Sequence, residues 1–192
     1  MEERVPRQWL ALAYKVPSEP TRIRTYIWRR VKALGCLHLQ QAVWLLPRTP
    51  QTEHELQKLS ARIEEMGGES SLLATVSPSL AWEERTVAGF NQARDEEYAE
   101  VVENEERFED EIRRESRKEK FTFAELEDVE AEWDKLKKWH ERVVARDFFG
   151  AAERQEAETR LVEGEKMLVE FTRQVYEHEG VQEGREPNGE DC

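Results

Sequence analysis

Residues 9–47, WLALAYKVPSEPTRIRTYIWRRVKALGCLHLQQAVWLLP, decide the fold. Side chains of an extended chain alternate between faces, so Leu10, Leu12 and Tyr14 share one side of a strand over 9–15 while Trp9, Ala11 and Ala13 share the other. Both sides are apolar, which predicts a central strand covered on both faces. Pro17 and Pro20 break the extended pattern, because proline cannot donate to a ladder and favours a turn. A helix opens at Pro20 or Thr21. Ile23, Ile27 and Leu34 recur at helical spacing, and Gly35 supplies the left-handed stop. Arg22, Arg29 and Lys32 fall opposite that stripe, with Arg24 and Trp28 on one flank and Arg30 nearer the apolar side. The helix therefore buries one face and shows a basic one. Residues 37–40 and 42–46 read as short strands joined at Gln40 and Gln41 and ended by Pro47.

Thr49 and Pro50 open a second helix, with Leu56, Leu59, Ile63 and Met66 on one face and Gly67 and Gly68 closing it. A strand over 70–76 follows, cut off by Pro78. The predicted order is strand, helix, strand, strand, helix, strand. An α+β unit over 1–80 satisfies it, either ferredoxin-like or a winged helix in which the basic helix would be the recognition helix and 37–46 the wing.

From Glu83 onward glycine and proline become scarce, charge rises and apolar residues settle into heptad-like spacing. Val87, Phe90, Tyr98, Val101, Phe108 and Ile112 form a first stripe, ended by the polar cluster at 113–120. Thr122 and Glu125 have the spacing of a capping box and start a second helix whose seam is Leu126, Val129, Trp133, Leu136, His140 and Val143. Phe148, Phe149 and Gly150 close it. The third seam is Ala157, Leu161, Gly164, Leu168, Phe171 and Val175, with Gly164 predicted to admit a bulky neighbour. Residues 81–179 thus read as a long antiparallel three-helix bundle or arm, and 180–192 as a disordered acidic tail without the apolar residues to fold.

Composition agrees with two parts: 192 residues, of which 38% are hydrophobic and 37% charged, are rich in charge for a single core. The formal net charge of −13 would argue against a polyanion partner if it were spread evenly. Residues 1–50, however, carry nine Lys and Arg against three acids, a surplus of six positive charges, which leaves −19 for 51–192. Fields act locally, through a Debye length of about 10 Å, so this asymmetry matters more than the total.

Cys36 and Cys192 make neither a disulfide framework nor a metal spacing. No run approaches the roughly 20 apolar residues of a membrane helix and no signal-peptide core opens the chain, so a cytoplasmic protein with no membrane partner is expected. His38, His54, His140 and His178 lie on different elements, without a second ligand at metal spacing. No cofactor, metal site or catalytic residue is expected, because no nucleophile with its base, phosphate loop or metal cluster is present. The acidic runs at 95–97, 103–111 and 125–132 read as solvated helix faces with ion pairs. Cys36, placed at a strand start, reads as a buried and inert thiol, although a thiol is chemically a target for an oxidant. The basic helix carries the one positive expectation. Its arginines and lysine can meet phosphates, and arginine can fork onto guanine; pairing with the acidic helices of the same chain stays open beside this.

Several separated blocks carry a family resemblance. Residues 13–20 (AYKVPSEP), Arg22, Trp28-Arg29-Arg30, Leu34-Gly35, Leu39-Gln40 and 43–47 (VWLLP), followed by 120–127 (KFTFAELE) and 146–150 (RDFFG), resemble the N-terminal region of the chromate-resistance regulator ChrB. The resemblance implies a bacterial transcription regulator that binds DNA near chromate-resistance genes and responds to chromate as effector. A weaker likeness in element order links the first unit to the ferredoxin-like subunit of the CRISPR adaptation complex and to the central domain of PaaX regulators. Nuclease-like members of that group carry a metal-binding aspartate after the tyrosine of the first strand. Lys15 stands there in this chain and cannot ligate a hard divalent cation.

Three readings follow. The first is a DNA-binding regulator, dimeric, that uses Arg22, Arg24, Arg29, Arg30 and Lys32. The second is an interaction module whose helical arm docks a partner with a separate sensing or catalytic domain. The third and weakest is an enzyme acting on nucleic acid, which loss of activity on replacing Lys15 or Arg22 would revive.

Overall fold

The computed structural model describes residues 6–17 and 19–180. Its elements are β1 (Gln8–Lys15), α1 (Thr21–Ala33), β2 (Leu37–Gln40), β3 (Val43–Pro47), α2 (Pro50–Glu65), β4 (Glu69–Val76), α3 (Leu80–Arg117), α4 (Phe123–Val144) and α5 (Arg154–His178). The class is α+β, and the described residues form a four-stranded antiparallel sheet with five helices. Two compact units result: Met1–Arg94 with Ala145–Ala151, and Asp95–Val144 with Ala152–Cys192. Of the expected tail at 180–192, residues 181–192 lie outside the described residues, as do residues 1–5 and 18.

In the first unit the sheet order is β2-β3-β1-β4, and every pairing is antiparallel. β1 is central, as its two apolar faces require. Leu10 and Leu12 join Ile27 and Val31 of α1 and Leu56, Leu59 and Ile63 of α2 in one buried cluster. The Ser60 hydroxyl of α2 lies 2.7 Å from that of Ser70, which sits opposite Tyr14, so α2 covers the Leu10–Leu12–Tyr14 face. The opposite face is covered by the start of α3 and by Phe149. The Trp9 ring stacks on Phe90 at 5.8 Å, meets Trp82 edge-on at 5.9 Å and lies 6.0 Å from Phe149. Aromatic contacts of this kind add about 0.5–1.5 kcal/mol each beyond area burial.

A buried polar chain closes this layer. The Trp9 indole N–H donates to Ser77 Oγ at 2.8 Å, and the Ser77 hydroxyl donates to Glu83 Oε2 at 2.6 Å. Glu83 also accepts the Arg7 backbone N–H at 3.0 Å. α3 begins at Leu80, one turn before the Glu83 start that apolar spacing suggests, because Ser79 Oγ accepts the Trp82 N–H at 3.2 Å and caps it. α2 is capped at Thr49, whose side chain accepts from Thr52 while Thr52 reaches back. At Gly35, φ is +75° and an added Cβ would stand 2.6 Å from that of Arg146, so both backbone conformation and space demand glycine.

In the second unit Tyr98, Val101, Phe108 and Ile112 of α3 are buried with Leu126, Val129, Trp133, Leu136 and Val143 of α4 and Ala157, Phe171 and Val175 of α5. Leu161 and Leu168 are only half-buried. Here α3 also holds Glu105, Glu109 and Glu115, three buried carboxylates that a purely apolar reading of the stripe passes over. Thr122 Oγ1 accepts the Glu125 N–H at 3.3 Å, but Glu125 does not complete a capping box: it accepts from Lys120 Nζ at 3.0 Å. Gly164 does admit bulky neighbours, since a Cβ there would lie 2.8 Å from the Trp133 ring.

Candidate nucleic-acid interface

α1 sets the geometry of the expected interface. At 100° per residue, buried Ile27 and Val31 and half-buried Ile23 and Leu34 point one stripe at the cluster beneath. Arg22, Arg29 and Lys32 fall on the other side, and all three are exposed. Arg30 and Lys32 lie in the last turn, where cations complement the helix dipole, and no acid stands in the first turn.

The five expected contact residues divide by their surroundings. Arg30 Nη2 lies 3.5 Å from Glu55 Oε2 of α2, and that carboxylate also meets Lys58 at 3.4 Å. Arg24 is likewise engaged. Arg22, Arg29 and Lys32 make no ion pair with any described residue. Beside them Trp28 is 52% exposed and Tyr26 40% exposed. Tyr26 was not among the expected residues, although it stands four positions after Arg22 and three before Arg29. That spacing places it on the same surface, and its phenolic oxygen interacts with Arg62 of α2.

Many cations of the second unit behave differently. Arg113 pairs with Glu109, Arg114 with Glu111, and Arg173 with Glu170 and Glu177. Glu115 gathers Arg114 at 3.0 Å, Lys118 at 3.1 Å and Lys120 at 3.2 Å, and these donors hold its carboxyl down at about 2. The negative surplus of that region thus engages cations along its own helices. On α1, by contrast, three cations share one helix face without such partners among the described residues.

Other candidate groups have local roles. Burial pushes the Cys36 thiol up to about 12, against smaller opposing effects of a backbone hydrogen bond and Arg94, so it holds its proton and is a poor nucleophile. His38 Nε2 lies 2.6 Å from the Gln41 carbonyl, with its ring 4.8 Å from Trp44. His140 is half-buried, 6.0 Å from the Tyr98 ring, and desolvation pushes its imidazole below the usual range. Among the described residues no group of three or more His, Cys, Asp or Glu is placed to hold a metal ion, and no helix is long and apolar enough to cross a membrane.

The family model described as Protein ChrB, N-terminal, matches residues 24–182. The chain belongs to the ChrB N-terminal family. That ties it to a family linked to chromate resistance. The ChrB match starts inside α1 and takes in Arg24, Arg29, Arg30 and Lys32 together with all later elements, whereas β1 and Arg22 precede it. No curated protein and no solved structure matches the chain.

Proposed function

We propose that this chain is a cytoplasmic, homodimeric DNA-binding regulator of chromate-resistance genes that meets its operator through the outer face of α1. One observation carries the reading: Arg22, Arg29 and Lys32 are exposed and free of ion pairs to described residues in a chain of net charge −13. Three solvated cations on one helix face supply phosphate neutralisation, and the two arginines add bidentate donors for guanine. Arg24 and Arg30 flank this face. Trp28 and Tyr26 offer flat apolar surface for sugar or base. On this reading the first unit is ferredoxin-like, which the β2-β3-β1-β4 order with β1 at its centre supports, and the second is an antiparallel three-helix bundle. Chromate is the proposed effector, on the strength of the family link, and the chain is assigned no catalytic reaction.

The test is binding to a labelled DNA fragment from upstream of the chain's own gene, at two salt concentrations, with and without chromate. Competitor-resistant binding that weakens with salt supports the regulator. Release by chromate supports sensing by this chain. Absence of specific binding at low salt overturns the reading.

A second reading, an interaction module, draws on α5. Val162, Val169 and Tyr176 stand at seven-residue steps and are exposed, and Phe123 packs edge-on against Tyr176 at 5.3 Å. Such a stripe suits a helix of a partner protein that carries a sensing domain. This reading predicts salt-insensitive, weak DNA contact and a stable complex with that partner.

A further inference from the structure

We propose that the outer edge of β4 pairs, antiparallel, with β4 of a second copy of this chain and joins two four-stranded sheets into one. β4 ends the sheet, with β1 on one side and, among the described residues, no strand on the other. An edge strand presents unpaired backbone N–H and C=O groups, and proteins blunt such edges with short strands, bulges, proline or inward charge. The opposite edge has these protections: β2 is four residues long, its ladder is irregular between His38 and Gln40, and Gln41 beside it has φ +48°. β4 has none. It runs eight residues with no proline, its register to β1 is unbroken, and its only charge is Glu69 at one end. Leu73 is 57% exposed and Val76 52% exposed.

The chemistry of the strand selects the occupant. Two copies paired antiparallel about Leu73 put their Glu69 carboxylates at opposite ends of the ribbon, about 27 Å apart at 3.4 Å per residue. Parallel pairing would set them side by side. Partners in an antiparallel ladder point to the same face, and a two-fold axis perpendicular to the sheet preserves that face, so one residue must sit opposite its own copy. The choice at the strand centre is Leu72 or Leu73. Leu72 is half-buried on the α2 side, whereas Leu73 lies on the other face with its side chain in solvent. Leu73 against Leu73 buries the most exposed apolar group of the strand and sets Ser71 opposite Thr75. The same symmetry brings both copies of α1 and α2 to one face of the joined sheet. The pairing assumes nothing about DNA, and its test is read without it.

The experiment is sedimentation equilibrium on the full chain and on two variants. The natural chain is expected at twice its 22.7 kDa. L73K, which would oppose two ammonium groups on the axis, is expected at the mass of one chain with unchanged helix content. V169K, on the exposed stripe of α5, is expected to stay at twice the mass. A natural chain that sediments as a monomer at the highest concentration reached overturns the proposal, as does a dimeric L73K. If L73K loses helix content, cross-linking decides: L73C/C192S should form a disulfide-linked dimer under mild oxidation where V169C/C192S does not, because Cys36 is buried and does not compete. Cross-linking of V169C/C192S without cross-linking of L73C/C192S would overturn β4 pairing.

Discussion

Gly164 of α5 lies so close to Trp133 of α4 that a Cβ on the glycine would stand 2.8 Å from ring carbon Cζ3. The same Cβ would stand 2.7 Å from Glu105 Oε1. Alanine is favoured over glycine in a helix interior by about 1 kcal/mol, but overpacking a core costs typically about 1–3 kcal/mol. A buried indole cannot step aside as a flexible chain end can. Gly164→Ala is therefore expected to lower the midpoint of thermal unfolding followed by circular dichroism. A raised midpoint would mean that the Trp133 ring has room to move.

Glu105 is fully buried, and among the described residues neither carboxyl oxygen has a hydrogen-bond partner. Burial first, and the neighbouring Glu109 second, push its carboxyl up to about 8. A folded-state value above the unfolded one means that the folded protein holds this proton longer. The associated stability is complete below about 4.5 and declines as pH rises towards 8. Glu105→Gln should consequently gain on the natural protein between pH 5 and pH 8, as measured by urea midpoints. A constant difference across that range would show that Glu105 is ionised throughout.

Glu115 is the opposite case on the same helix. Its three cationic partners hold the folded carboxyl below the unfolded value, so its contribution is present above about 4.5 and is lost as pH falls towards 2. Glu115→Gln should lower stability at pH 7, with the gap to the natural protein closing below pH 4. A gap that persists at pH 2.5 would point to packing rather than charge.

Ser77 links Trp9 to Glu83. Ser77→Ala leaves the buried indole N–H without its acceptor, a loss of about 1–3 kcal/mol, while Glu83 keeps the Arg7 backbone donor. Denaturant unfolding should show the loss, and Ser77→Thr, which restores a hydroxyl, should recover part of it.

On α1, replacing Arg22, Arg29 and Lys32 by alanine should weaken DNA binding and reduce the log-log salt slope by about 0.9 for each phosphate contact removed. Helix content should be unchanged, because these side chains make no ion pair with described residues. Arg30→Ala should also disturb its contact with Glu55 and show a stability change that the triple variant lacks. Equal DNA affinity of the natural and triple-substituted chains would remove α1 as the contact surface.

Local signals were strong in the first unit. Alternating apolar residues over 9–15, the prolines at 17 and 20 and the glycine at 35 place β1 and α1 within a residue of their observed bounds. Ser79 was a weaker signal, since one hydroxyl before an apolar run marks many loops as well as caps. The helical seams were legible at their apolar positions and incomplete at Glu105, Glu109 and Glu115. Charge alone says solvent, and only the surrounding helices reveal that these three carboxylates are enclosed. For the same reason the basic face of α1 was visible as a pattern, but the state of each cation was not.

The sequence by itself determined the order and kind of elements, the two-sided burial of β1, the family and the placement of positive charge on one short helix. Those follow from periodicity, turn residues and composition, which act over a few neighbouring positions. Tertiary structure alone decided that β4 and β2 form the two edges of the sheet among the described residues, that Phe149 packs on Trp9 from the far side of the chain, and that Arg30 meets Glu55 while Arg29 meets no acid among the described residues. Each depends on which distant segments come within a few ångströms, where dispersion, desolvation and Coulomb terms take effect and where no local pattern records the partner.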